Sequence, residues 1–159
     1  MKALLFAAGM GTRLKPFTDN HPKALAQVNG VALLERNIKY LQSYGINDFV
    51  INIHHFGGQI LAFLAENDNF GANIEISNES EELLETGGGL LFAKKFLENE
   101  KTFLIMNVDI LTDLNITNFI KLHEIKGGVI TLAVSDRDSS RKLMFNDKMF
   151  LKGWKNLTT

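Results

Sequence analysis

Short apolar runs alternate along this chain with segments in which apolar residues recur at helical spacing. Apolar or alternating runs predict strands at residues 3–8, 49–53, 73–77, 103–106 and 129–134. Helical spacing predicts helices between them, over residues 31–44, 58–67, 87–97 and 116–123. Strands that alternate with helices, several of them apolar throughout, are typical of a parallel sheet covered on both faces. We therefore expect an α/β fold, with a Rossmann-like, doubly wound and mainly parallel sheet.

The pattern changes in the C-terminal part of the chain. Residues 141–151 predict a hairpin that turns at Asn146 and Asp147, with arms over 143–145 and 149–151. No element is predicted after Leu151. Because the sequence stops without a clear final helix or strand, we expect a chain that is truncated at its C-terminus.

Composition narrows the classes of function. The 159 residues are 45% hydrophobic and 22% charged, with a formal net charge of −1, as in an ordinary globular protein. The near-zero charge argues against nucleic acid or an anionic membrane as a partner. No apolar stretch approaches the ~20 residues of a membrane span, and the lack of cysteine excludes thiolate metal sites. We expect a cytoplasmic protein, and composition leaves the oligomeric state open.

A glycine-rich turn, residues 9–13, follows the first predicted strand. Turns of this kind present backbone N–H groups to phosphates, and glycine lets the backbone approach a ligand closely. Arg13 and Lys23 add two cations, which suits a polyphosphate. Two further polar segments, 78–89 and 107–113, follow strands and are expected to converge with this turn on one crevice.

Two familiar phosphate-binding motifs do not match this turn. A dinucleotide-binding fingerprint needs a third glycine near Leu14 and an acidic residue that ends the second strand, and the sequence has neither. A P-loop needs a Gly-Lys-Ser/Thr sequence at the start of the helix, which is also missing. A nicotinamide-dependent oxidoreductase is therefore disfavoured.

The turn resembles the signature of the sugar-1-phosphate nucleotidyltransferases, which make nucleotide sugars. The matching motifs are Gly-Met-Gly-Thr-Arg-Leu-Lys-Pro at 9–16, Pro-Lys at 22–23, Glu-Thr-Gly-Gly-Gly at 85–89 and Asn-Val-Asp at 107–109. The segment at 85–89 is most similar to N-acetylmuramate-1-phosphate uridylyltransferases, and relatives include mannose-1-phosphate guanylyltransferases. The resemblance implies a nucleoside triphosphate and a sugar 1-phosphate as substrates, pyrophosphate as a product and Mg²⁺ as cofactor. UTP with N-acetylmuramate 1-phosphate is the expected pair.

The resemblance also implies roles for single residues on the phosphate side. Arg13 would neutralise the β- and γ-phosphates, and Lys23 would hold the α-phosphate and the sugar phosphate in line. The nucleotide would be wrapped by the loop residues Ala8, Gly9, Gly11 and Thr12.

On the base and metal side, the resemblance implies that Glu79, or as the second choice Asn78, faces the base and that Asp109 binds Mg²⁺. Gly87 and Gly88 would let backbone approach the base and ribose. Val108 departs from the family, which usually has glycine before this aspartate. Glu81 and Glu82 are expected to be solvated loop residues.

The family's chains continue beyond the point where this sequence ends, into a segment with a second metal aspartate and much of the sugar pocket. We therefore expect residues 1–159 to be a single nucleotidyltransferase domain that forms an N-terminal portion. Two alternatives remain: a mannose-1-phosphate guanylyltransferase, and a catalytically incomplete nucleotide-binding module.

Overall fold

The computed structural model describes residues 1–79 and 84–158, so that Glu81 and Glu82 lie outside the described residues. The chain divides into two compact units, Met1–Thr117 and Asn118–Thr159. In the described ranges, no helix combines the length and the apolar character that crossing a membrane requires.

A parallel sheet forms the centre of the first unit. Its strands in the described residues are β1 (Lys2–Phe6), β4 (Asp48–Ile53), β5 (Asn73–Asn78) and β6 (Leu104–Asn107), in the order β5–β4–β1–β6. All pairings are parallel. The four strands predicted for this part of the chain are confirmed, with the first ending at Phe6 rather than at Ala8.

Burial follows the position of each strand in the sheet. Leu4, Leu5, Val50 and Ile51 in the two central strands are fully buried, because both faces of the sheet are covered there. β5 lies at an edge and alternates exposed and partly buried positions over residues 73–76, as its sequence pattern predicts, but Ser77 is buried. β6 is apolar but ends the described sheet on the other side, where Ile105 is 43% exposed.

The helices are α1 (Leu33–Gln42), α2 (Gly57–Glu66), α3 (Glu85–Phe92), α4 (Lys94–Leu97) and α5 (Ile116–Lys126). Two predicted bounds are wrong. The helix expected from residue 31 begins at Leu33, because β3 (Val31–Ala32) pairs with β2 (Gln27–Val28). The helix expected over 87–97 is interrupted at Ala93, which is buried with Leu4, Val50 and Leu97 in one apolar cluster.

The second unit departs most from the sequence pattern. The strand predicted at residues 129–134 is wrong: these residues form no strand, and Val129 and Ile130 are 97% and 75% exposed. An apolar run forms a strand only where another strand pairs with it, and no pairing of this segment occurs among the described residues.

The predicted hairpin is present with a shifted second arm. It consists of β7 (Arg141–Phe145) and β8 (Leu151–Asn156), which pair in antiparallel register. Oδ1 of Asn146 accepts hydrogen bonds from the N–H groups of Lys148 and Phe150, so the turn occupies residues 146–150. The expectation that no element follows Leu151 is therefore wrong.

Candidate functional site

A cleft of about 850 Å³ lies in the first unit, beside the carboxyl ends of the parallel strands. The loop after β1, the end of β5, the start of α3 and the segment after β6 all contribute to its walls. Of the predicted site residues, it is lined by Ala8, Gly9, Gly11, Thr12, Arg13, Lys23, Glu79 and Asp109. The three polar segments expected to converge therefore do so.

Gly11 shapes the glycine-rich loop. Its φ of 63° lies in the left-handed region, and its carbonyl accepts hydrogen bonds from Leu14 N (2.8 Å) and Thr18 Oγ1 (2.9 Å). A Cβ at this position would lie 2.8 Å from Thr18 Cγ2 and 3.0 Å from Lys23 Cβ. Only glycine fits both the backbone conformation and this close approach, so that the loop folds back against the segment that carries Lys23.

Lys23 and Asp109, which are far apart in the sequence, form an ion pair in the cleft. Lys23 Nζ lies 3.0 Å from Asp109 Oδ2, and the two side chains are 19% and 42% exposed. A pair this exposed contributes at most about 1 kcal/mol to stability. A phosphate group can therefore compete for the lysine, and a cation for the aspartate, at low cost. Arg13 is exposed on the same cleft wall.

The residue before Asp109 anchors it to the core. Val108 is fully buried, and its N–H donates to the carbonyl of Phe6 at 3.1 Å. Its own carbonyl accepts a hydrogen bond of 2.6 Å from Nδ2 of Asn37, a buried side chain of α1. The valine thus serves as a packed anchor at a position where the resemblance leads one to expect glycine.

The donor set around Asp109 fits a magnesium ion that binds together with a nucleotide. Among the described residues, no group of three or more His, Cys, Asp or Glu side chains could hold a metal by itself. Magnesium commonly binds through one or two carboxylates, with phosphate oxygens and water completing its shell. Asp109 offers one partly exposed carboxylate next to the loop where phosphates are expected.

Asn52, which sequence reasoning missed, connects two walls of the cleft. Its Oδ1 accepts hydrogen bonds from the backbone N–H groups of Ala7 (2.6 Å) and Ala8 (3.2 Å), and its Nδ2 donates to Glu79 Oε1 at 2.8 Å. Asn52 and Glu79 are each 3% exposed. The available signal was a polar residue inside the apolar run at 49–53.

The glycines at the start of α3 occupy different surroundings. Gly87 and Gly88 are not among the residues that line the cleft, whereas Glu85 and Thr86 are. A Cβ at Gly88 would lie 2.8 Å from Leu84 Cβ, and one at Gly87 would meet nothing within 4 Å. A Cβ at Gly89 would lie 2.7 Å from Glu79 Oε1. Contacts of Gly87 and Gly88 with a base or ribose stay a prediction.

Known proteins share this sequence pattern and fold. The family model for nucleotidyl transferases matches residues 2–143. An N-acetylmuramate alpha-1-phosphate uridylyltransferase from Neisseria meningitidis serogroup B is 39% identical over 117 residues, which are 74% of this chain and 50% of the relative. A mannose-1-phosphate guanyltransferase from Gibberella zeae is 31% identical over 144 residues, which are 89% of this chain and 39% of the relative.

Among solved structures, HddC from Yersinia pseudotuberculosis complexed with GMP-PN has a similar fold. The TM-score is 0.76 at 21% identity, and the match covers 98% of this chain and 68% of that one. At this identity the likeness shows the fold alone. This chain spans about half or less of the length of the two curated relatives.

Proposed function

Because the chain belongs to the nucleotidyl transferase family, we propose that its cleft transfers a nucleoside monophosphate from a nucleoside triphosphate to a sugar 1-phosphate. The observation that carries the proposal is the contact between Lys23 and Asp109 at 3.0 Å, beside the glycine-rich loop. The contact brings a cation suited to phosphate and a carboxylate suited to a metal ion to one point, as joining two anionic substrates requires.

The chain's own residues would act mainly by positioning the substrates. Backbone N–H groups of the loop from Gly9 to Thr12 would bind the triphosphate, and Arg13 would neutralise the β- and γ-phosphates. Lys23 would hold the α-phosphate and the sugar phosphate close together. A phosphate oxygen of the sugar phosphate forms a bond to the α-phosphorus while the bond to the bridging oxygen breaks, and pyrophosphate leaves with that electron pair.

We propose Mg²⁺ as the cofactor, held by Asp109 together with phosphate oxygens. When bound, the ion would neutralise phosphate charge. Glu79, Gly87 and Gly88 are proposed to lie near the base and ribose. We propose that the protein acts in the cytoplasm, where nucleoside triphosphates are available.

For the substrates, we propose UTP and N-acetylmuramate 1-phosphate. The 39% identity to the Neisseria uridylyltransferase favours this pair. GTP with mannose 1-phosphate is the second candidate, favoured by a match to the Gibberella guanyltransferase that covers 89% of this chain.

The test is pyrophosphate release across four nucleoside triphosphates and several sugar 1-phosphates. We expect release with UTP and N-acetylmuramate 1-phosphate, and release confined to GTP and mannose 1-phosphate would contradict that choice. Arg13→Ala should lower the rate at least about tenfold. Lys15→Ala is the matched control, since Lys15 is an exposed cation in an ion pair with Asp19 and does not line the cleft.

A catalytically incomplete binding module is the competing function. It predicts that Mg·UTP binds in titration calorimetry without any release of pyrophosphate. The absence of both binding and release would contradict the proposal and this alternative alike.

A further inference from the structure

We propose that Asn52 is a positioning residue for the nucleotide loop and that Glu79 fixes the orientation of its amide. The proposal rests on the proposed function, because it assigns the pair a part in nucleotide binding. Ala7 and Ala8 lie where β1 ends and the loop begins, and Asn52 Oδ1 binds both of their N–H groups. One side chain of β4 therefore ties both residues at the start of the loop to the sheet.

The hydrogen bonds define the orientation of the Asn52 amide. Two backbone N–H donors face one end of it, so that end must be the oxygen. The NH₂ group then points at Glu79, whose carboxylate only accepts hydrogen bonds, at 2.8 Å. A flipped amide would set donors against donors at the loop and oxygen against oxygen at Glu79. Glu79 thus locks the amide in the orientation that holds the loop.

Burying the polar side chains of Asn52 and Glu79 costs free energy that a contact between two apolar side chains would not cost. Glu79 is 3% exposed and accepts hydrogen bonds from Asn52 Nδ2 at 2.8 Å and Leu84 N at 3.4 Å, but in the part of the chain that the structure describes it forms no salt bridge. A carboxylate buried without a cation is expensive. The neighbours of Asn52, Ile51 and Ile53, fill the same strand with apolar side chains that avoid this cost. Polarity at Asn52 is therefore explained by the loop N–H groups that it binds.

Gly89 in α3 lies close to both side chains of the pair. A Cβ there would lie 2.7 Å from Glu79 Oε1, 3.2 Å from Asn52 Nδ2 and 3.3 Å from Phe6 Cε1. The third glycine of the 87–89 run thus leaves the room in which the two side chains meet. The requirement for glycine at this position comes from the Asn52–Glu79 pair.

The test exchanges the amide and the carboxylate. Asn52→Asp keeps an acceptor for the loop but places two carboxylates against each other, and should weaken Mg·UTP binding by roughly 10- to 100-fold. In the double variant Asn52→Asp/Glu79→Gln, the new amide donates to the new carboxylate and net charge is unchanged. Because Glu79 is itself proposed to lie near the base, the double variant is compared with Asn52→Asp alone. We expect the double variant to bind Mg·UTP at least about fivefold more tightly than that single variant. Calorimetry gives the affinities, and urea unfolding of each variant is measured in parallel.

The outcomes separate this proposal from the proposed function. Failure of the unaltered chain to bind Mg·UTP would overturn both. Normal binding by that chain, with no recovery in the double variant, would overturn the positioning role alone. If Asn52 had only a structural role, Asn52→Asp would lower the urea midpoint, but its folded form would bind Mg·UTP as tightly as the wild type. That result would also overturn the proposal.

A second variant tests the pair without altering either member. Gly89→Ala should displace Glu79 and weaken Mg·UTP binding about tenfold. Gly58→Ala is the matched control, because Gly58 is also helical, lies in α2, and a Cβ there would meet nothing within 4 Å. Equal affinities for the two variants would overturn the role given to Gly89 and the pair.

Discussion

At the scale of single residues, the cleft depends on positions where backbone approaches a side chain closely. Gly11 combines a positive φ with a site that a Cβ would fill, between Thr18 and Lys23. The positive φ and the close approach would each cost free energy if Gly11 were replaced by a residue with a Cβ. A left-handed conformation costs an L-residue about 1–2 kcal/mol, whereas a steric clash adds to that and also moves the neighbours.

Gly11→Ala and Gly30→Ala should separate these costs. Gly30 has a φ of +75°, and a Cβ there would meet nothing within 4 Å, so that Gly30→Ala should lose only about 1–2 kcal/mol of unfolding free energy. Gly11→Ala should lose about 1–3 kcal/mol more and weaken nucleotide binding, since Thr18 and Lys23 must shift. Urea unfolding and calorimetry measure both. Equal costs, with nucleotide affinity unaltered in Gly11→Ala, would show that the close approach of Thr18 and Lys23 has no effect.

Residue chemistry also explains which site residues were predictable from sequence. Arg13 and Lys23 flank a glycine-rich turn, which indicates phosphate binding, whereas a metal role for Asp109 is implied only by the resemblance of its motif to the nucleotidyltransferase family. Asn52 lies in an apolar strand, and its importance comes from hydrogen bonds to Ala7 and Ala8 that only the folded sheet creates. The ion pair between Lys23 and Asp109 likewise depends on the sheet, which brings β1 beside β6.

At the scale of elements, α1 helps to place the metal-binding candidate. Its buried Asn37 donates to the carbonyl of Val108, directly before Asp109. A buried carbonyl that loses its partner costs about 1–3 kcal/mol. α1 therefore stabilises the backbone directly after β6, where Asp109 lies.

Asn37→Leu should lower the unfolding free energy by about 1–3 kcal/mol. Asn67→Ala is the control: Asn67 Nδ2 makes the same kind of bond to the carbonyl of Phe63, but at an exposed position, and should cost about 0.5 kcal/mol or less. Chemical denaturation measures both. Similar losses of unfolding free energy in the two variants would mean that burial of the Asn37 hydrogen bond does not increase its contribution to stability.

The elements differ in how well sequence predicts them. β1 and β4 are buried on both faces, so their apolar runs identify them. Residues 129–134 have an equally apolar run but form no strand, because strand formation depends on a partner that local sequence does not specify. The interruption at Ala93 was also missed; Ala93 is buried in one cluster with Leu4 and Val50, a packing arrangement that the local pattern does not specify.

At the scale of the whole molecule, the two units differ in regular structure. The described residues 127–139 in the second unit contain neither helix nor strand, and several of their apolar side chains are exposed. Segments without regular hydrogen bonds open most easily and are cut first by proteases.

Limited trypsin digestion should therefore cut first after Lys126 or Arg137, which border or lie in residues 127–139. Lys39 in the middle of α1 serves as the internal control, because its backbone is held in helical hydrogen bonds. Mass spectrometry of early products identifies the sites. A first cut after Lys39 would contradict the expectation that residues 127–139 open more easily than α1.

We propose that Lys23 and Asp109 form the charged centre of a magnesium–nucleotide site. The most direct measurement is calorimetric titration with UTP, in Mg²⁺ and in EDTA, of the wild type, Lys23→Met and Asp109→Asn. We predict that Lys23→Met weakens binding about tenfold or more in both conditions, because a phosphate-binding cation is lost. Asp109→Asn should weaken binding by a similar factor in Mg²⁺ only. In EDTA it should bind UTP as tightly as the wild type or tighter, because a negative charge near the phosphates is removed. Equal weakening of Asp109→Asn in both conditions, or no UTP binding by the wild type, would contradict the claim.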